Sequence, residues 1–558
     1  MSKRNNVIIF ISVIVLIGIV YITKEPVTIV KAEQGYISSN VSVVKVFNEA
    51  EESIDIFRGT KISYYKERTK TIDEVELVEV DIKDKMYYVP IENICTSKED
   101  IVTEEEVYTR TASSLVKEDD SIKGFADKGT KLEVVSYKGL DKEGNVSEYL
   151  VKSGDYEGYI KAKYVVLTEE ESLIRFESET YDAMHIKAED KYGGGNAMTL
   201  DYYPNTKPVF EDNPMPEQCY SLYLSANYIN PEAIKPFIDF AKDTLINTFV
   251  IDIKDNFVIG YPAKAMEKYS PSAAKAACNS YEEYMEAVQM LKDAGFYVVG
   301  RITVFKDDRY VADHPEDAIV YKETDEPYKL EGSYWPSAYS RNVWEYNVAL
   351  AKESVTEIGF NEINLDYCRF PGGIINDEEN LNMRNEYGED KAQAIQRFLI
   401  YATDTIHELN AYVSVDVFGE TSNGTYTAPY GQYWPAMSNV VDVISGMPYP
   451  DHFSAGSYGL SKPWDEPYEL MKSWGEFVVE RQKECPTPAK VRTWIQAYNV
   501  LPWVDRSGIK YNAEALEEEI RGLYDAGIED GYITWHGGPS LAKYNLQKAA
   551  FQIDYAKE

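Results

Sequence analysis

The 558-residue sequence contains little cysteine and little histidine, and each shortage excludes a kind of site. Its five cysteines are scattered and have no paired spacing, so they define neither a disulfide framework nor a zinc site. The five histidines form no recognisable set of metal ligands. We therefore expect neither a metal nor a cofactor.

Basic residues are also scarce compared with acidic ones. The chain has 57 lysines and arginines against 93 aspartates and glutamates, which gives a formal net charge of −36. Because such a chain repels phosphate, we expect no nucleic-acid partner. Hydrophobic residues make up 44% of the chain and charged residues 27%, as in globular proteins. The length indicates several domains rather than a single core.

The N-terminus contains one long uncharged run. Nineteen residues, 5–23, lie between Arg4 and Lys24, and as a helix they would span roughly 28 Å, close to the hydrocarbon core of a bilayer. The preceding basic residues predict a single-pass signal anchor whose N-terminus is cytoplasmic, with the bulk of the chain outside. A cleaved signal peptide and a secreted protein are the alternative. Both interpretations take the chain across the membrane.

Residues 40–168 show the alternation of short strands separated by turns, so this region is predicted to be all-β. The segments VYTRTASSL (107–115), GFADKGTKLEVVSY (124–137) and EYLVKSGDYEGYIKAKYVV (148–166) resemble a bacterial Src-homology-3-like domain, placed at 104–168. A weaker copy is placed at 41–95. The resemblance implies binding to the cell wall or to a peptide, and a simple stalk remains an alternative. Residues 169–215 are interpreted as a linker.

From residue 219 the hydrophobic pattern changes to short β-branched segments that alternate with amphipathic helices, which is typical of parallel βα units. Eight such segments predict a (β/α)₈ barrel over residues 216–558. The predicted strands are 219–225, 248–254, 297–305, 362–368, 412–418, 442–449, 491–497 and 532–536. An open doubly wound sheet is the alternative, but residues 225–228 form no glycine-rich nucleotide loop after the first segment.

Chemistry in such barrels takes place at the C-terminal ends of the strands. The candidates at those positions are carboxylates, cations, aromatic residues and one amide: Asp252, Lys254, Arg301, Asp366, Tyr367, Arg369, Asp416, Tyr449, Trp494, Gln496 and Trp535. Paired carboxyl groups and aromatic platforms are what the cleavage of glycosidic bonds requires. Plainer interpretations remain open: Asp252 and Arg301 as a bracing ion pair, and the tryptophans as core.

Several blocks also carry a family resemblance. They are NTFVIDIKD (247–255), YVVGRITVFKD (297–307), GFNEINLDYCRFP (359–371), YVSVDVFGE (412–420), VRTWIQAY (491–498) and DGYITWH (530–536). In order, over 219–538, they resemble a family of glycoside hydrolase-like (β/α)₈ barrels from bacteria. The resemblance implies a glycosidase-like barrel without a defined substrate. Cys368 stands where most members have isoleucine, and this change leaves Asp366 and Arg369 in place.

Asp366 and Asp416 are the predicted catalytic residues, because they end the fourth and fifth strands. Neighbouring strands lie about 4.8 Å apart, so the two carboxyl groups could approach the ~5–5.5 Å of retaining glycosidases. Barrel stagger could widen the separation, which leaves inversion open. Asp366 is assigned as nucleophile or oxocarbenium stabiliser and Asp416 as general acid/base, although the two roles are interchangeable. The other nine candidates are assigned to substrate binding.

The sequence therefore predicts hydrolysis of a cell-surface or environmental polysaccharide, including a wall glycan. The alternative is a non-catalytic protein that binds carbohydrate or the cell wall through a hydrolase-like barrel. A metal-dependent polysaccharide deacetylase is disfavoured because it needs a set of histidine ligands, which five scattered histidines do not supply.

Overall fold

The computed structural model describes residues 31–50, 52–174, 200–330, 332–422, 430–483 and 485–557. The chain forms two compact units, one made of residues 1–118 and 123–173 and the other of 119–122 and 174–558. Within the described ranges, no helix is long and apolar enough to cross a membrane. The predicted anchor at 5–23 lies outside the described residues.

The N-terminal unit contains two seven-stranded sheets with antiparallel pairing. The first has the strands Glu33–Ile37, Val43–Phe47, Ser53–Phe57, Lys61–Ile72, Val75–Ile82, Lys85–Pro90 and Ile94–Cys95. The second has the strands Glu106–Thr109, Ser113–Val116, Ile122–Ala126, Lys131–Leu140, Val146–Ser153, Tyr156–Lys161 and Val165–Val166. Numbered from its own first strand, each sheet has the order 3-2-6-5-4-1-7, so the two are structural repeats.

The all-β prediction for this region is confirmed, and the first repeat starts earlier than predicted. Its first strand, Glu33–Ile37, precedes the predicted start at residue 41 and pairs with Lys61–Ile72. Along these strands buried apolar residues alternate with exposed ones, as in Val75–Ile82, where Val78 and Val80 are fully buried. The likeness to Src-homology-3 domains stays a prediction.

The C-terminal unit contains a nearly closed barrel of parallel strands, as the hydrophobic pattern predicts. Its strands are Cys219–Leu224, Thr248–Lys254, Tyr297–Thr303, Glu362–Asp366, Tyr412–Phe418, Val443–Met447, Lys490–Val491, Thr493–Gln496 and Gly531–Trp535. Only Arg492 separates Lys490–Val491 from Thr493–Gln496, so we count these two pieces as the seventh strand and Gly531–Trp535 as the eighth. The first strand pairs with the eighth, which excludes an open doubly wound sheet.

Helices cover the outside of the barrel, and local sequence signals set where several of them begin. They are Pro231–Lys242, Lys264–Tyr269, Pro271–Lys275, Tyr281–Asp293, Asp308–Asp313, Arg341–Glu353, Lys391–His407, Trp434–Ser438, Pro467–Gln482, Ala513–Asp525 and Leu541–Gln547. Ser280 and Asp390 form capping boxes at two of the N-termini. Because helices cover the outer face and side chains fill the interior, the second and third strands are buried at every residue.

Two details close the barrel at its N-terminal end. Gly531 has φ 108°, and a Cβ there would lie 2.1 Å from the carbonyl oxygen of Cys219, so only glycine fits where the eighth strand meets the first. Arg492, which interrupts the seventh strand, forms a buried 2.8 Å ion pair with Glu362 of the fourth strand. The N-terminal end therefore has its own polar core, separate from the end where chemistry is expected.

Residues 200–215, the described C-terminal part of the predicted linker, pack against this N-terminal end. The amide of Asn213 donates to the carbonyl oxygens of Asn361 and Asn410, each at 2.8 Å. The ring of Phe210 lies 4.9 Å from that of Tyr412, whose hydroxyl accepts a hydrogen bond from the Phe210 backbone. This stretch therefore forms part of the barrel's packing.

Replacing Phe210 by alanine should lower the free energy of unfolding of the C-terminal unit by about 1–2 kcal/mol, because a half-buried aromatic side chain is lost. Urea denaturation followed by tryptophan fluorescence measures the change. Val209→Ala is the matched control, because Val209 is 85% exposed and should cost less than about 0.5 kcal/mol. Equal stability of the two variants would mean that residues 200–215 only pass over the barrel.

Candidate active site

A cavity of about 530 Å³ opens at the C-terminal ends of the barrel strands. The strands and the loops that follow them supply its walls, which are lined by Tyr223, Ser225, Asn227, Asp252, Asp255, Asn256, Phe257, Val258, Arg301, Lys306, Asp366, Tyr367, Arg369, Phe418, Met447, Tyr449, His452, Trp494, Trp535 and Gly537. Eight of the eleven residues predicted for the site line this cavity. The other three, Lys254, Asp416 and Gln496, are buried behind its surface.

Arg301 is the centre of the charged wall and contacts three carboxylates. Its Nη1 donates to Asp252 at 2.6 Å and to Asp255 at 3.2 Å. Its Nε donates to Asp366 at 3.0 Å, and Nη2 contacts the same carboxylate oxygen. Tyr223 adds a 2.6 Å hydrogen bond to the second oxygen of Asp252. The guanidinium therefore brings carboxylates from the loops and ends of the second and fourth strands together in one wall.

Burial and mutual charge shape the protonation of this cluster. Removal from water raises the pKa of Asp252 to about 6, although the nearby Arg301 opposes the rise. Burial by itself would lower the pKa of Arg301, but the charges of Asp366 and Asp252 outweigh it and hold that pKa well above its ordinary value. The arginine therefore stays charged, and Asp252 exchanges its proton close to neutral pH.

Asp366 is held by a strained backbone as well as by Arg301. Tyr367 follows it with φ 51°, a left-handed conformation that is costly for a bulky residue. In this conformation the Tyr367 N–H donates to the second oxygen of Asp366 at 2.6 Å. The Tyr367 ring lies 4.8 Å from the Lys306 ammonium and 4.9 Å from the Arg369 guanidinium. The strain is thus stored at the residue where chemistry is expected.

Asp416 lies behind the cavity wall and is 1% exposed. One of its oxygens accepts hydrogen bonds from Asn364 and Trp494, both at 2.8 Å. Its other oxygen and the Asn364 amide oxygen have no partner in the described part of the chain. Burial, and then the charge of Asp366, raise the pKa of Asp416 well above its ordinary value. This carboxyl group therefore holds a proton at neutral pH.

Lys254 and Gln496 make buried structural contacts. The Lys254 ammonium forms a 2.6 Å ion pair with Asp307, and both side chains are at most 3% exposed. The Gln496 side chain accepts from the backbone N–H of Asp451 and donates to the Tyr498 carbonyl oxygen. These contacts brace the loops after the second, sixth and seventh strands. The strand-end rule selected both residues by height, which says nothing about which face they occupy.

Aromatic side chains form much of the remaining wall. The Trp535 ring lies 4.8 Å from Tyr223 and 5.7 Å from Trp494, and the Arg301 guanidinium lies 5.5 Å from the Trp535 ring. Tyr449 is 4% exposed, and burial raises the pKa of its hydroxyl well above the ordinary value. The wall therefore combines flat apolar faces with charged groups.

Sequence reasoning assigned no site role to Tyr223, Asp255 or Phe257. All three lie in or directly after the first and second strands, so the strand-end rule covers their positions. Tyr223 was passed over because the first strand ends without a charged residue. Asp255 was interpreted as the start of a loop, and its contact with Arg301 gives it a place in the wall.

Within the described ranges, one group has the spacing of metal ligands: His314, Glu316 and Asp317. None of the three lines the cavity. His314 Nε2 already contacts the Tyr269 carbonyl oxygen at 2.8 Å, and Asp317 accepts from Tyr310 and Ser340. These contacts give the cluster a structural role.

The comparisons with known proteins agree with a barrel of hydrolase type. Residues 221–540 match the family described as "Putative glycosyl hydrolase domain". The match covers more than half of the chain, and the chain belongs to this family. None of the curated proteins matches it.

Solved structures with a similar fold include glycoside hydrolases. The PgaB (BpsB) glycoside hydrolase domain from Bordetella bronchiseptica is 14% identical, with a TM-score of 0.42 over 62% of this chain and 100% of that one. The endo-1,4-β-D-mannanase from Thermotoga petrophila RKU-1 is 14% identical, with a TM-score of 0.37 over 57% and 88%. A hypothetical protein from Ruminiclostridium thermocellum ATCC 27405 is 28% identical, with a TM-score of 0.30 over 35% and 97%.

Proposed function

We propose that the chain hydrolyses glycosidic bonds in a cell-surface or environmental polysaccharide, using two carboxyl groups. One observation supports this more than any other: Asp252, Asp255 and Asp366 converge on Arg301 in a cavity with aromatic walls. Glycosidic cleavage needs two carboxyl groups on either side of the scissile bond and flat surfaces for sugar rings. Membership of the glycosyl hydrolase family supports the same reaction class.

Asp366 is the carboxylate proposed to stabilise or attack the sugar cation. It lines the cavity at the end of the fourth strand, and two fixed donors, Arg301 and the Tyr367 N–H, orient it. Such preorganised contacts keep a reacting carboxylate in one position without any rearrangement during the reaction. Arg369 and the aromatic residues of the wall are proposed to hold the sugar.

Asp255 is the proposed general acid, in place of the Asp416 assignment made from the sequence. A general acid must come within hydrogen-bonding reach, about 3 Å, of the oxygen that it protonates. Asp255 lines the cavity and its side chain is 24% exposed, whereas Asp416 is buried behind Asn364 and Trp494. Because Asp255 and Asp366 bind adjacent nitrogens of Arg301, their separation suits the roughly 5–9.5 Å that glycosidases use. Asp416 is left with a supporting role.

The acid assignment predicts different leaving-group dependence for two variants. Asp255→Asn should lose at least about a hundredfold of its kcat on the natural glycan. It should stay close to wild type on dinitrophenyl glycosides, whose leaving group needs no protonation. Asp416→Asn is the matched control and should affect both substrates alike, because asparagine replaces a carboxyl group that already carries its proton. The reverse pattern would return the acid role to Asp416.

A non-catalytic carbohydrate-binding protein is the second candidate function. The observation that favours it is that every carboxylate of the wall is already paired with Arg301, as in a purely bracing network. Reducing-end assays separate the two candidates, because a binding protein retains the glycan without shortening it.

Location remains a proposal from the sequence. We propose that the chain is held at the outer face of the membrane by residues 5–23, or is secreted after cleavage. The two N-terminal sheets are proposed to be Src-homology-3-like modules that bind the wall or serve as a stalk. Protease shaving of intact cells, followed by membrane fractionation, tests the anchored form.

A further inference from the structure

Two exposed aromatic side chains lie on the loops at the open end of the barrel. Phe257, on the loop after the second strand, is 66% exposed, and Trp503, on the loop after the seventh strand, is 79% exposed. Apolar side chains on a solvent-facing surface contribute nothing to the core, and large exposed ones mark places where a ligand or partner lies. Both loops begin where the proposed chemistry takes place.

The Phe257 loop is rigid and is joined to the charged wall. Asp255 accepts a hydrogen bond from the Phe257 N–H at 3.2 Å, and its own N–H donates to the Val258 carbonyl oxygen at 2.9 Å. The same Asp255 binds Arg301. Asn256 fixes the loop further by accepting from the Asp308 N–H and donating to Ser333. Phe257 therefore lines the cavity in an orientation set before any ligand binds.

The Trp503 loop is fixed in a similar way. Asp451, which is 4% exposed, accepts from the Leu501 N–H at 3.2 Å and from the Tyr498 hydroxyl at 2.7 Å. The next residue after Asp451, His452, lines the cavity. Beyond the tryptophan, Asp505 binds the Trp464 indole and the Lys462 ammonium, both at 3.0 Å. A tryptophan held outward on a clamped loop is suited to stacking on a flat partner, with little ordering cost on binding.

Between the two loops the rim is also aromatic. The order of the barrel strands places the first and eighth strands between the second and the seventh. Those intervening strands supply Tyr223 and Trp535 to the cavity wall. Three strand spacings separate the two loops, which is roughly 14 Å at about 4.8 Å each. That distance exceeds one sugar ring.

We propose that Phe257 and Trp503 are the two ends of a binding track for a glycan chain of three or more sugar units, which passes over Trp535. The proposal rests on the proposed function only in taking a glycan as the occupant. It adds that the substrate is a polymer, that the track extends beyond the cavity, and that Trp503 contributes to chain length preference without touching the bond that is cleaved.

Affinity electrophoresis of the full chain carrying Asp366→Asn tests the track without consuming the ligand. The gels contain xylan, glucomannan, glycol chitin or polygalacturonate. For the polymer that retards the chain most, Trp503→Ala and Phe257→Ala should each raise Kd roughly tenfold. Leu546→Ala is the control, since Leu546 is 74% exposed on the last helix, and it should bind unchanged. A disaccharide of the same polymer should bind Trp503→Ala and its parent equally, because it is too short to reach Trp503.

Two results would overturn the track: no polymer retards the chain, or Trp503→Ala binds the polymer as well as its parent. An effect of Phe257→Ala alone would end the binding site at the cavity mouth and would also refute it. The proposed function fails separately, when the chain with Asp366 intact binds the polymer and releases no reducing ends. Thermal melts of both alanine variants should match the parent, because the two side chains are exposed.

Discussion

Replacing Asp366 by asparagine is expected to lower the turnover of the natural glycan by at least about a thousandfold, which corresponds to about 4 kcal/mol of transition-state stabilisation. Asparagine keeps the shape of the side chain and removes the charge that a nucleophile or cation stabiliser supplies. The measurement is kcat/KM per folded molecule, with circular dichroism to count the folded fraction. Glu379→Gln, an exposed change in the loop after the same strand, should leave turnover unchanged.

The bracing interpretation of Asp366 gives the opposite result. If its contact with Arg301 only holds the barrel together, Asp366→Asn lowers the melting temperature and leaves turnover per folded molecule near wild type. Asp366 would then leave the proposed mechanism, and the carbohydrate-binding function would become the better account of the cavity.

Replacing Arg301 by methionine should reduce the free energy of unfolding by about 3–5 kcal/mol, because three carboxylates lose their common buried partner. Arg301 and Asp252 have side chains at most 2% exposed, so water cannot take over the lost contacts. Urea denaturation at pH 7 measures the change. Arg521→Met is the control: Arg521 and its partner Glu517 are both more than a third exposed, and the change should cost less than about 1 kcal/mol.

The loss caused by Arg301→Met should also depend on pH. Without the guanidinium, the carboxyl pKa values in the folded state rise above those of the unfolded chain. A raised folded-state pKa means that stability is kept at low pH and is lost as the pH rises through that value. The difference from wild type should therefore be largest at neutral pH and should shrink toward pH 4. A loss that is constant with pH would show that packing, rather than charge, is what Arg301 supplies.

Much of the barrel could be predicted from the sequence because parallel strands covered on both faces are continuous apolar runs. TFVIDIK (248–254) and YVSVDVF (412–418) are such runs, and the structure has strands with those same bounds. The break at Arg492 could not be predicted, since it depends on the distant partner Glu362. The packing of residues 200–215 was equally hidden, because its hydrogen bonds reach backbone groups at 361 and 410.

The site was predictable to the extent that strand ends determine it. The rule that chemistry lies at the C-terminal ends of barrel strands located Asp252, Arg301 and Asp366 from the sequence alone, and the structure brings these three side chains together. The rule gives height along the barrel and gives neither burial nor partners. Lys254 and Asp416 therefore looked equivalent to the cavity residues, whereas an ion pair with Asp307 and hydrogen bonds from Asn364 and Trp494 hold them behind the wall.

The most direct test of the central claim is the release of reducing ends from a panel of purified polysaccharides by the full chain, run beside folded Asp366→Asn at equal concentration. The account predicts that wild type shortens at least one polymer and that Asp366→Asn does not. If wild type releases no reducing ends from a polymer that it demonstrably binds, or if the two proteins release them at equal rates, the proposed glycosidase mechanism is contradicted.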